Sequence, residues 1–383
     1  MSHTRIPYLA STLFSIMLVS LLLAGCAATL PPHTPLPQGL ALAVIGRSDP
    51  EAPFAWHPDA DIIAFVRGEL RMMNLATGDM VQLDATPSAI AWTPDGALLA
   101  AVSTQGKDSL VRVFDRQGAV VEEAVVPGHV SQLAWRFDRE LLAPSQVLER
   151  FKFGVSLRTQ LYRWRLGTVP TATILSDVTI MPSRAKASDK SYFDTFSFAL
   201  SPLRDEIAYT RLVDPPNFPS YLKIIVRNLE SGAEQEASGV KLGSAGAAFS
   251  SDAEQILYGD GAGMVRRLSP WTGREQDLLA APGRTIALSP GDRYLFVDGK
   301  LFLEMQQLAA FPADCAGAFS LTGTRLLLRC GDSLSLLSGL TESARPQPSP
   351  AQRERLLALK KWRSEKLISD KEYQTAKQRI LAP

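Results

Sequence analysis

The chain has 383 residues, 46% of them hydrophobic and 21% charged, with a formal net charge of +1. This composition excludes an intrinsically disordered chain, and the charge balance argues against a dedicated nucleic-acid binder. The length suits two or three ordinary domains or one large repeat array.

The chain opens on a targeting pattern. Arg5 supplies a positive start, Leu9 to Leu23 form an apolar run, and Leu23-Ala24-Gly25-Cys26 closes it. Small residues before a cysteine, directly after such a run, make a processing site and not the middle of a membrane span. The stretch resembles a bacterial lipoprotein signal. That resemblance implies a signal peptide over residues 1–25 and acylation of Cys26, by a palmitate-type chain, as the first mature residue. Ala27 stands where that family carries an Asp for inner-membrane retention, which implies the outer membrane, facing the periplasm. Residues 26–39 hold four prolines and read as an extended tether.

A short phrase then recurs: a small residue, a large apolar residue and a polar turn. It begins at Ala55-Trp56, Ala91-Trp92, Ala134-Trp135, Ala199-Leu200, Ala248-Phe249, Ala287-Leu288 and Ala318-Phe319, at spacings of 36, 43, 65, 49, 39 and 31 residues. Self-similarity near this period marks a repeat architecture. Each unit reads as four short strands, a to d. In the second, Ala89–Trp92, Ala97–Ser103, Ser109–Asp115 and Ala119–Val125 are separated by turns such as Pro94-Asp95-Gly96, where Pro fixes φ, Asp bonds its own backbone and Gly tolerates positive φ. Units of this kind close radially, so residues 40–340 are expected to form an all-β, seven-bladed β-propeller. The small residue suits the crowded axis, the large one packs between blades, and Asp59, Asp95 and Asp252 are turn residues. His57 reads as a capped surface residue. The seventh unit shows three strands, and residues 40–47 are expected to supply its outer strand and lock the ring.

The segments beginning Ala55-Trp56-His57-Pro58-Asp59 and Ala91-Trp92-Thr93-Pro94-Asp95 resemble the Pro-Asp repeats of TolB-type propellers, over about residues 50–340. The Trp-Asp dipeptide of WD-repeat propellers is absent. The resemblance implies a docking platform whose contacts are the loops of one face and the mouth of the central channel.

Three insertions interrupt the repeat: Ser145 to Leu157, Val178 to Asp194 and Val213 to Ser220. The b–c loops and the blade-to-blade linkers emerge on one face, so all three should crowd that face over the third and fourth blades. They bring Arg150, Phe151, Lys152, Phe153, Arg184, Lys186, Lys190, Tyr192 and Phe218, with Arg158 and Tyr221 at their edges. Cations mixed with exposed aromatics suit a protein or an anionic polymer. Loop drift is the alternative, because long insertions are tolerated thermodynamically.

In the seventh unit, setting Ser320 opposite Arg325 places Cys315 opposite Cys330. Directly opposed antiparallel residues lie within disulfide range, and an exported compartment permits the bond. After a Pro-rich linker (341–350), residues 351–383 read as a helical hairpin. Leu356, Leu359 and Trp362 share one side, and Ser369-Asp370-Lys371-Glu372 is a capping box. From Gln352 to Arg379 there are nine Lys or Arg and four Asp or Glu, against 30 and 35 over residues 26–350. Leu367 to Tyr373 resembles the SHOCT family of short C-terminal hairpins, with Lys366 where that family has Gly. This implies an oligomerisation or interaction module; a hairpin lying against the propeller is the other reading.

Catalytic patterns are missing. There is no His-Glu-x-x-His, Gly-x-Ser-x-Gly, P-loop or dinucleotide fingerprint, so no catalytic residue, metal ligand or cofactor is assigned. The sequence thus leads to a non-catalytic, lipid-anchored interaction platform for an envelope protein or an anionic cell-wall polymer. Two alternatives stay open. One is a propeller lyase or hydrolase acting on envelope polysaccharide or peptidoglycan. The other is a structural lipoprotein that oligomerises, or meets anionic lipid, through its basic hairpin.

Overall fold

A computed structural model describes residues 35–341, except 137–138, 153, 181–192, 194–195, 216–219, 242–245 and 271. In the C-terminal segment it describes 355, 358–359, 362 and 367–381. The expected signal peptide, Cys26, most of the expected tether and most of the linker lie outside these residues. Among the described residues no helix is long and apolar enough to cross a membrane.

Seven antiparallel sheets follow one another along the chain, each running from an inner strand a to an outer strand d. Blade 2 is typical: Ala89–Trp92, Leu98–Gln105, Asp108–Asp115 and Val120–Pro127. The third blade splits its inner strand into His129–Val130 and Ala134–Trp135, both paired to Glu140–Phe151. Side chains alternate across each sheet, so every blade has two apolar faces, and the core lies in the seams between blades. Trp92, Leu99 and Phe114 pack with Ala64, Val66 and Leu70 of blade 1. Leu142, Leu161 and Leu175 pack with Phe198, Ile207 and Tyr209 of blade 4.

The two ends of the ring share one sheet. Strand Ala41–Arg47 is the outer strand of blade 7 and runs antiparallel to Ser333–Ser338, from the pair Ala41↔Ser338 to the pair Arg47↔Ser333. The register shifts between Val44 and Gly46. This extra residue, Ile45, packs against the seam that holds Trp56, Phe65 and Leu327. On the inner side of the same blade, Cys315 and Cys330 are joined by a disulfide.

The repeated phrase ties each blade to the one before it. Trp56 Nε1 donates to the carbonyl of Ala318 at 2.8 Å, and Trp135 Nε1 to that of Ala91 at 3.0 Å. In both cases the acceptor is the phrase alanine of the preceding blade. Trp92 is the exception: its Nε1 is buried with no partner, and its ring meets His57 edge-on at 4.8 Å.

The a–b turns form a second belt around one face. His57 bonds Gly96, Arg139 bonds Asp95 at 2.6 Å and Arg136 pairs with Asp205. Arg204 bonds Glu254 at 3.1 Å, the Ser251 N–H donates to Asp292 at 2.9 Å, Tyr294 stacks on Phe319, and Arg325 pairs with Asp61. Every seam is thereby crossed. Burial pushes the Asp95 carboxyl up, but bonds from the Ala97 N–H, Thr93 and Arg139 outweigh it and hold the group at about 2.

His57 is buried and not a surface residue: its side chain fills the seam between blades 1 and 2. Its Nδ1 accepts from the N–H groups of Asp59 and Ala60, both at 3.0 Å, so Nε2 carries the proton and donates to the Gly96 carbonyl at 2.8 Å. Gly96 has φ +64°, and a Cβ there would lie 2.2 Å from the imidazole, so only glycine fits. Burial lowers the His57 pKa below 6.5, and Arg116 lowers it further, against the opposing bond to Gly96. The unfolded chain therefore binds the proton more readily. The stability contribution is complete above pH 6.5 and declines as pH falls below it. Melting at about pH 7.5 and pH 5.5 should show an acid-side loss that shrinks in His57→Asn; equal losses in both proteins would refute the assignment.

The expected C-terminal helical hairpin requires correction. Among the described residues the one continuous helix is α1 (Asp370–Leu381); of the expected first arm only residues 355, 358–359 and 362, each helical, are described, so the described fold is an all-β propeller with one continuous C-terminal helix. Ser369 and Glu372 cap α1 reciprocally, with Ser369 N–H donating to Glu372 at 2.8 Å and Glu372 N–H to Ser369 Oγ at 3.3 Å. The helix is not independent of the ring. Tyr373 is fully buried and its hydroxyl donates to Glu254 at 2.9 Å, while Ile380 packs on Leu203 and Ala253. These contacts seat α1 on the a–b turns of blades 4 and 5. Tyr373 and Ile380, one helical face of α1, are spent on the propeller.

Candidate functional site

The opposite face is built from the b–c turns and the blade-to-blade linkers. Its main feature is blade 3. Strands Glu140–Phe151 and Gly154–Arg165 have 12 residues each, against 8 in the equivalent strands of blade 2. The four extra residues raise a rigid ledge about 13 Å high at the usual strand rise. Thr171–Ile180 runs alongside as a third strand, pairing Val155 with Ile180 and Leu157 with Val178. The Ser145–Leu157 insertion is therefore a paired hairpin and not an irregular loop. Its returning strand alternates Val155/Ser156/Leu157, apolar-polar-apolar, which is the strand pattern that marks it.

One side of the ledge is apolar and leans on blade 4. Leu148, Leu157, Val178 and Ile180 pack with Leu212, Leu222 and Phe193. The Phe193 ring stacks on His129 at 4.8 Å. The other side carries Glu149 and Arg158, the latter paired with Asp177 at 2.9 Å. At the tip, Arg150 and Phe151 end one strand and Lys152 begins the turn; Phe151 is 46% exposed. Tyr221 is half-buried at the start of strand Tyr221–Asn228, opposite Val213. Phe153, Arg184, Lys186, Lys190, Tyr192 and Phe218 lie outside the described residues, so the structure groups only Arg150, Phe151 and Lys152.

The central channel opens on this same face, as two connected clefts of about 320 and 210 Å³ that share Gln132 and Phe198. Their walls include Pro53, Ala89, Gln132, Ser197, Gly246, Thr285 and Ala316. Each of these stands two positions before a phrase alanine. Period-2 alternation puts both residues on the channel side, so the repeat contained the lining, a signal the sequence reading did not use. The lining is largely neutral, these mostly small residues standing among Ile90, Leu133, Phe198, Leu200, Ile286 and Phe296. Two polar groups stand out: Arg284 is exposed at the rim, and Gln132 Oε1 is buried with no hydrogen-bond partner.

A third cleft, of about 560 Å³, lies between the outer parts of blades 3 and 4 and holds Asp177, Arg211, Arg227 and Glu234. Asp177 is paired with Arg158, and Arg211 and Arg227 with Glu234. Arg211 Nη2 donates to Glu234 at 2.6 Å and to the Leu175 carbonyl at 3.1 Å, and the Tyr209 hydroxyl donates to Glu234 at 3.0 Å. Burial pushes the Tyr209 phenol up to about 12. Burial also pushes Glu234 up, but its bonds from Arg211, Arg227 and Tyr209 win and lower it. The group ties blade 4 to blade 3 through the Leu175 carbonyl. Among the described residues no cluster of three or more His, Cys, Asp or Glu side chains is placed to hold a metal ion.

No family model matches the chain, and no curated protein matches its sequence. The TolB-like and SHOCT-like resemblances therefore go no further than the sequence features that suggested them. Among solved structures, a chain of the mitotic checkpoint complex aligns at a TM-score of 0.51 with 13% identity, covering 88% of this chain and 99% of the other. A chain of hydrazine synthase from Kuenenia stuttgartiensis aligns at 0.53 with 12% identity, covering 83% and 99%. At such identities the likeness is one of fold. The chain is a seven-bladed β-propeller, placed by architecture and not by family.

Proposed function

We propose that this chain is a non-catalytic docking platform, tethered to the outer membrane through a lipid on Cys26, which presents the ledge face to an envelope protein in the periplasm. The observation that carries the reading is the blade 3 ledge: a rigid three-stranded rise beside the channel mouth, tipped by exposed Phe151 between Arg150 and Lys152. An exposed aromatic between two cations suits a hot spot for a partner surface. The sequence after the apolar leader supports the anchor.

The test uses the membrane-anchored protein in its own envelope. A photo-crosslinking residue at position 151 should capture a discrete partner. The same residue at Arg274, in the c–d turn of blade 5 on the opposite face, should not. Replacing Phe151, Phe153, Tyr192 and Phe218 with Ala should abolish capture from an adjacent crosslinker at Glu149. Equal capture from both faces, or capture unaffected by the replacements, would overturn the proposal.

A further inference from the structure

The channel lining repeats one position around the ring, two residues before each phrase alanine, and its chemistry is uneven. On blades 1, 2, 5 and 7 the position is small or apolar; on blades 3, 4 and 6 it is Gln132, Ser197 and Thr285. Thr285 is engaged by the fold, because its Oγ1 accepts the Asp298 N–H at 3.2 Å. Gln132 and Ser197 are not engaged. Gln132 Oε1 is buried without a partner. Ser197 is 6% exposed, and its hydroxyl bonds nothing among the described residues. Both residues line the cleft of about 210 Å³. A buried polar group left unpaired is costly, and each such group in a folded chain calls for an explanation.

Arg284 stands across the channel, on blade 6, and lines the same cleft. Among the described residues that line the two channel clefts it is the one charged side chain, and it has no acidic partner among the described residues. Its backbone is held firmly. The Asp298 carboxylate accepts from the N–H groups of Gly283, Arg284 and Thr285 at 2.6, 2.9 and 3.0 Å. The Gly283 carbonyl accepts the Gly246 N–H at 2.7 Å, and a Cβ on Gly246 would lie 2.9 Å from the Arg284 carbonyl. The rim that carries Arg284 is thus packed backbone against backbone between blades 5 and 6. Asp298 is turned to those N–H groups, and no carboxylate stands among the described lining residues to compete for the guanidinium.

An occupant of this cleft needs one negative charge for Arg284, a hydrogen-bond donor for Gln132 Oε1 and a polar atom for Ser197. Phe198, Ile286 and Phe296 supply apolar walls. Clefts of about 210 and 320 Å³ stand at the lower end of small-molecule sites, which run to about 300–1,000 Å³, so the occupant is compact. A peptide group meets a side-chain amide at two points, its N–H at Oε1 and its carbonyl at Nε2. We propose that the channel mouth binds a short free peptide or N-acyl amino acid by its carboxylate end. Arg284 pairs with the carboxylate, Gln132 with the last peptide group, and the Ser197 hydroxyl donates to a carboxylate oxygen. This site goes beyond the docking role of the ledge and rests on neither the ledge nor Cys26.

The test is a ligand-observed NMR titration of the purified full chain with N-acetylalanine and with its neutral counterpart, N-acetylalaninamide. The acid should bind saturably below about 20 mM, and the amide roughly tenfold or more weakly. Arg284→Gln, at an exposed position, should remove that preference by weakening the acid alone. Gln132→Leu should weaken both probes about fivefold or more, with an unchanged melting temperature verifying the fold. Equal binding of acid and amide, no saturation over that range, or acid binding unchanged in either variant overturns the proposal. Failure of the docking reading is separate: it would appear as lost specificity of capture at position 151 with acid binding intact.

Discussion

Deleting residues 40–47 should lower the melting temperature by about 10 °C or more and broaden the transition. The strand supplies the outer edge of blade 7, and its loss removes the ladder from Ala41↔Ser338 to Arg47↔Ser333. It also removes Ile45 from the seam around Trp56 and Leu327 and frees the backbone edge of Ser333–Ser338. Unpaired edges of this kind template association, so the truncated chain should also aggregate on heating. The measurement is differential scanning calorimetry of both chains. A sharp transition at the original temperature would show that the ring does not depend on this closure. A synthetic peptide of residues 40–47 should restore part of the loss, because it can occupy the vacated edge.

Replacing Glu140 with Ala should cost about 2–3 kcal/mol in urea unfolding. Glu140 is 7% exposed and receives two arginines: Arg136 at 2.5 Å and Arg163 at 3.0 Å. Without its carboxylate, the two guanidinium groups face each other across the base of blade 3, and among the described residues Arg136 keeps an acidic partner in Asp205 while Arg163 keeps the Leu229 carbonyl. The penalty comes from the stranded charge and not from the lost attraction alone. Replacing Glu140 and Arg163 together with Leu and Met should therefore recover most of the stability. If the double replacement is as unstable as Glu140→Ala, the charge argument fails and the site matters through shape.

Much of this fold was legible because a propeller writes its geometry seven times. The phrase Ala-Trp or Ala-Leu gave both the axis-facing small residue and the seam-filling large one. The indole-to-carbonyl bonds, Trp56 to Ala318 and Trp135 to Ala91, were not readable, because they join residues of different blades. His57 misled for a similar reason. It sits in a turn sequence, and turns are usually wet, but the next blade's Gly96 covers it. The hairpin expectation failed because an amphipathic pattern records that an apolar face is covered, not what covers it; for Tyr373 and Ile380 the cover is the ring. The candidate site divides in the same way. Its location over blade 3 followed from uneven spacing, and its form, a paired ledge in place of loose loops, needed the cross-strand register that sets Leu148, Leu157 and Val178 side by side on three strands.

Sharing one sheet between the two chain ends also sets an order of events. Ser338 Oγ bonds the Ala41 carbonyl across 297 positions of sequence. A chain delivered N-terminus first exposes strand Ala41–Arg47 early, while its partner emerges almost last. Contacts of such long sequence separation form slowly, so six blades can assemble while the first strand waits with an open edge. The interval between synthesis and closure is the chain's period of greatest vulnerability to proteases and to other copies of itself. Any factor that shields residues 41–47 during that interval would raise the yield of closed rings without contributing to their final stability.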